Sequence, residues 1–85
     1  MLQIKVFGTT PPCANCKRAE REARKAAEEF PGQVEVIHLD ALGPEAQLYG
    51  LMVTPVVVVG EQVVATGKVV PAPRLVPLIE KALQT

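Results

Sequence analysis

The order of elements along the 85 residues predicts a small α/β fold, β-α-β-α-β-β-α, on a four-stranded mixed sheet. Three observations carry this reading. An alternating apolar–polar segment at 2–7 is followed by an Ala-, Glu- and Lys-rich stretch, then by a second strand-like segment at 34–39. Strands joined by a helix in this way run parallel with a right-handed crossover. Farther on, Val56-Val57-Val58-Val59, Gly60-Glu61 and the residues from Gln62 read as strand, tight turn and strand, an antiparallel hairpin.

Taken in order, residues 2–7 (L-Q-I-K-V-F) make the first strand, and Gly8-Thr9-Thr10-Pro11-Pro12 breaks it. A helix is expected from Cys13 or Ala14 to Phe30. Ala19, Ala23, Ala26, Ala27 and Phe30 share one face, and Glu20/Arg24 and Arg24/Glu28 pair four apart on the others. Pro31-Gly32 ends it. The segment 34–39 (V-E-V-I-H-L) is expected to be a strand buried on much of both faces. Pro44 opens a short helix to about Tyr49, with Gly50 as its stop. Pro55 leads into 56–59, a β-branched central strand, and 62–65 completes the hairpin. The last helix reaches Leu83 and packs Leu75, Leu78, Ile79 and Leu83. Pro73 and Pro77 both prefer its first turn, which leaves its start open.

Length allows a single domain, residues 1–85, with a thin core. Hydrophobic residues make up 48% of the chain, which suffices for that core. Aromatics are scarce, which argues against a base-stacking nucleic-acid surface. Lys plus Arg and Asp plus Glu number 9 each, so no net field attracts polyanions or membranes. The longest purely apolar run is far too short to span a bilayer. The start, M-L-Q-I-K, has neither a basic n-region nor an apolar h-region, so a cytoplasmic location is expected.

Cys13-Ala14-Asn15-Cys16 is the motif that carries chemistry. Two cysteines this close make a poor structural staple, because the loop they close is tiny. In a reducing compartment the pair is catalytic or metal-binding. Its position, directly after a strand and at a helix start, favours redox work. Unpaired N–H groups and the helix dipole stabilise negative charge there, so Cys13 should ionise more readily than a free thiol. Lys17 adds a nearby positive charge. Cys16, one turn on, can reach a mixed disulfide formed at Cys13 and displace its partner. The protein supplies the nucleophile, so no cofactor is expected. The alternative is a Cu(I) or Zn(II) module using the same thiolates. A structural zinc site needs about four ligands, and only His38 joins the two cysteines as a candidate.

Strand, C-x-x-C, helix, then Thr54-Pro55 before a buried strand and hairpin resemble the thioredoxin/glutaredoxin superfamily. The likeness is closest to the small prokaryotic thioredoxin-like group called redox-active disulfide proteins. It covers nearly the whole chain: I-K-V-F-G, C-x-x-C-K at 13–17, Y-G-L-M-V-T-P-V-V-V-V-G-E-Q-V-V-A-T-G-K, and a terminal helix. The resemblance implies a minimal thioredoxin fold and a thiol-disulfide oxidoreductase, with Cys13 as nucleophile and Cys16 as resolving thiol. It further implies a cis bond before Pro55, a Thr54 backbone that pairs with an extended substrate segment, and Thr66-Gly67 beside the disulfide. The implied partners are a disulfide-containing protein or small disulfide and a dithiol or reductase donor. Neither nucleic acid nor membrane is among them.

The chain also departs from its relatives' patterns. Thioredoxin proper has Trp before the first cysteine and a buried Asp in the preceding strand; here Pro12 and Phe7 stand there. Glutaredoxins place Pro-Tyr between the cysteines and an acidic residue after the hairpin. Here Ala14-Asn15 and Gly67-Lys68-Val69 offer neither. His38, within a strand, is read as a packed residue, and Asp40 as a turn or capping residue rather than a proton relay.

Overall fold

The computed structural model describes residues 1–9, 13–40, 43 and 54–84. Its elements run β1 (Leu2–Gly8), α1 (Ala14–Ala27), β2 (Val34–Asp40), β3 (Val56–Val59), β4 (Gln62–Thr66) and α2 (Ala72–Leu83). They form the expected α/β architecture, with one four-stranded mixed sheet in the order β2-β1-β3-β4. β1 and β2 are parallel from Leu2↔Val34 to Gly8↔Asp40. β3 lies antiparallel to β1, Val56 opposite Phe7, and pairs antiparallel with β4 in the hairpin. The short helix expected at 44–49 lies outside the described residues.

Strand alternation sorts the side chains onto two faces. Ile4, Val6, Val57 and Val59 face the helices, where Ala19, Ala23 and Ala26 of α1 and Leu75 and Ile79 of α2 close over them. Alanine side chains keep α1 near the sheet. Phe7, Val56 and Val58 fill the opposite face, with Leu39 packed against them. β3 is therefore buried on both faces, as its unbroken valine run requires. β2 differs from expectation. It is an edge strand, so Val36, Ile37, His38 and Leu39 are half-buried rather than enclosed.

Several boundaries move for identifiable reasons. β1 and β2 each gain a residue, Gly8 and Asp40, because the parallel ladder continues through that pair. β4 extends to Thr66, which pairs with Val56. α1 stops at Ala27, not Phe30. Phe30 precedes Pro31, which disfavours the helical region there, and the chain tightens through Glu29 N–H to Ala26 O and Phe30 N–H to Ala27 O. α2 starts at Ala72, so Pro73 falls in the first turn, where a missing N–H costs nothing. Pro77 stays inside the helix, exposed, and forgoes one intrahelical bond. Among the described residues, no helix is long and apolar enough to cross a membrane.

A polar contact between described residues helps to tie the two helices together. Pro71 gives α2 no side-chain cap; instead the Ala72 N–H donates to Glu22 Oε1 of α1 at 2.8 Å. That bond holds the Glu22 carboxyl below the ordinary glutamate range, against an opposing effect of burial, and Lys25 adds to the lowering. A depressed carboxyl stabilises the fold above its unfolded pKa and loses that contribution as pH falls through the folded value. Glu22→Ala should therefore melt a few degrees lower at neutral pH. Thermal melts across pH should show the gap closing as pH falls below about 4. A gap that persists undiminished in acid would mean that packing, not charge, carries the contact.

Candidate active site

The site grows from the junction of β1 and α1. Cys13 is the N-cap of α1, with extended backbone (φ −73°, ψ 168°). Its carbonyl accepts the first intrahelical bond, from the Lys17 N–H at 3.0 Å. Its sulfur receives the Cys16 N–H at 3.1 Å, a place that a serine or aspartate oxygen fills at many other helix starts. The first turn of α1 holds no acidic residue, so nothing there opposes negative charge on Cys13. Cys13 and Cys16 are joined by a disulfide. The two sulfurs differ in access. Cys13 is half-buried, whereas Cys16 is fully buried beneath it.

A thioredoxin-domain family model matches residues 2–80. The chain belongs to the thioredoxin family. With the Cys13–Cys16 disulfide at its helix start, this thioredoxin-family protein is a thiol-disulfide oxidoreductase. A thioredoxin of Methanocaldococcus jannaschii is 34% identical over 68 residues, covering 78% of this chain and 79% of that one. Among solved structures, chloroplastic thioredoxin z superposes with a TM-score of 0.78 at 21% identity, covering 100% of this chain and 80% of that one. Thioredoxin-2 of a malaria parasite gives 0.70 at 17%, covering 95% and 82%. At those identities the structures speak for the fold.

The remaining site residues expected of a thioredoxin cluster at the same end of the sheet. Because Phe7 pairs with Val56, the end of β1 that leads to Cys13 lies beside the start of β3, where Thr54 and Pro55 stand. The Thr54–Pro55 peptide bond is cis, and Pro55 is fully buried while Thr54 is half-buried. Gly67, exposed and at φ +68°, donates its N–H to the Pro55 carbonyl at 2.8 Å. The glycine's positive φ is what lets the chain leave β4 and bond back across the hairpin. Among the described residues, no group of three or more His, Cys, Asp or Glu side chains is placed to hold a metal ion.

Two residues beside the pair escaped sequence reasoning. Gly8 reads as a strand breaker, yet it is the buried last residue of β1, and a Cβ there would lie 3.0 Å from Cys16 Cβ and 3.1 Å from its sulfur. Only glycine admits the helix start this close. His38 reads as packing, but its ring borders the same point. A conspicuous signal existed in each case, a glycine ending a strand and a lone histidine within one. Neither signal names its neighbour.

Proposed function

We propose that the protein exchanges its Cys13/Cys16 dithiol with a disulfide in a partner protein or small molecule, Cys13 attacking and Cys16 resolving. The observation that carries this is the unequal exposure of the two sulfurs, with the accessible one capped by a backbone N–H. In the reduced protein the same N–H and the helix dipole favour a Cys13 thiolate, the attacking species. Cys13 forms a mixed disulfide with one target sulfur, releasing the other. Cys16 then displaces the target and closes the Cys13–Cys16 bond. A dithiol or reductase returns two electrons to the pair. Thr54, Pro55 and Gly67, at the same end of the sheet, form the lip that receives an extended target segment, with the Thr54 backbone as its pairing strand. We place the protein in the cytoplasm, where a reducing glutathione pool suits such a pair.

The decisive assay is dithiol-driven reduction of a model disulfide. The protein should raise the rate well above the dithiol alone, and brief alkylation of the reduced form near neutral pH should label Cys13 before Cys16. A chain inert in that assay that binds one Cu(I) through both thiolates would replace this reading with a metal-carrying one. Labelling of Cys16 first would reverse the two roles.

A further inference from the structure

The parallel register pairs Val6 with His38 and Gly8 with Asp40. His38 therefore projects on the face of the sheet that carries α1, as Val6 does. His38 as a whole is half-buried, but its Nδ1 is closed off from solvent and has no hydrogen-bond partner among the described residues. Gly8 stands between this ring and the cysteine pair. A methyl group on Gly8 would lie 3.1 Å from Cys16 Sγ and 3.3 Å from His38 Cε1, the carbon between the two ring nitrogens. Sulfur and imidazole thus both crowd the one point where a side chain on residue 8 would begin, and glycine lets them approach it.

A buried ring nitrogen left unpaired costs its desolvation free energy, and a catalytic task is one of the few reasons a fold retains one. Cys16 supplies such a task. Its sulfur is fully buried, so the thiol of the reduced form must lose its proton away from bulk water before it can attack. Among the described residues, the charged groups nearest Cys16 along α1 are Lys17, a cation, and Glu20, which is engaged by Arg24 at 2.7 Å. β1 presents Val6 and Gly8. On β2, Asp40 lies two residues beyond His38, exposed at the strand end.

We propose that His38 is the proton acceptor for Cys16 in the resolving step, an inference that rests on the roles of Cys13 and Cys16 given above. In the mixed disulfide, the Cys16 thiol passes its proton to His38 Nδ1, directly or through one water. The thiolate forms a bond to Cys13 Sγ while the bond between Cys13 and the target sulfur breaks. The target sulfur leaves with that electron pair and takes up a proton. Over the cycle the target gains two electrons and the cysteine pair loses two. The half-buried imidazolium then gives up a proton to solvent and returns to the form with Nδ1 free for the next turnover.

Stopped-flow reaction of the reduced full chain with dithiobis(nitrobenzoate) separates the two steps. The first coloured thiolate reports attack by Cys13, and the second reports closure by Cys16. His38→Gln should leave the first phase within about twofold and slow the second at pH 7 by tenfold or more, in line with general-base effects of about 100-fold and above. The second phase of the variant should then rise only in alkali, above the free-thiol value of about 8.5 because Cys16 is buried, whereas that of the wild type is already fast at neutral pH. Three results would overturn the assignment: an unchanged second phase in His38→Gln, slowing of equal size at every pH, or the effect appearing in Asp40→Asn instead. A wild type that releases only one thiolate would overturn the dithiol reading itself, which keeps the two failures distinct.

Discussion

Cys13→Ser should reduce the protein's disulfide-reductase activity to the uncatalysed background, and Cys16→Ser should instead stall it as a mixed disulfide. The difference follows from the two environments. Cys13 is the accessible sulfur, and its loss removes the attacking thiolate altogether, because Cys16 is enclosed between α1 and the end of β1. Cys16→Ser leaves the attack intact and removes the internal thiol that ends the intermediate. Resolution then depends on external thiol. Even a modest effective concentration of about 1 M for Cys16, against about 1 mM external thiol, makes this step on the order of a thousandfold slower. Mass spectrometry of Cys16→Ser after exposure to a small disulfide should show one adduct per chain, stable over many wild-type turnovers. Adduct accumulation in Cys13→Ser, with none in Cys16→Ser, would exchange the roles.

Leu75→Ala should cost about 3 kcal/mol of folding stability, the middle of the range for emptying a leucine site in a closed core. Leu75 has no exposed surface and sits with Ile4, Val6, Val57, Ala19 and Ala23, where α2 meets both the sheet and α1. The alanine faces around it are small and rigidly backed, so little can move in to fill the space. A domain of this size holds about 5–10 kcal/mol in total, which makes the loss a large fraction. With a urea slope of about 1–1.5 kcal/mol per molar, the midpoint should fall by about 2 M or more. Leu78→Ala is the internal control, since Leu78 lies on the same helix but is only half-buried, and it should cost clearly less. Equal losses at the two positions would mean that α2 is not seated on Leu75.

What the sequence by itself determined is local in origin. The alternation at 2–7, the valine run at 56–59 and the Gly60 turn each encode their element within a few residues, and these elements match the structure closely. The helix after the C-x-x-C motif and the motif's place at its first turn were legible for the same reason, because helix propensity and N-terminal polarity are properties of neighbouring residues. The tertiary structure alone decided everything that depends on distant partners. Phe30 leaves the helix period where the following proline and the core claim it. Pro73 takes the first turn of α2 and Pro77 its interior, because Leu75 and Ile79 must both reach the sheet. β2 lies at an edge because strand order is a matter of topology, which the pattern at 34–39 does not record. Gly8 and His38 meet beside Cys16 because a parallel register sets Gly8 next to β2 from thirty residues away in sequence. Periodicity gives a residue its face of the strand, but only the closed sheet gives it a neighbour.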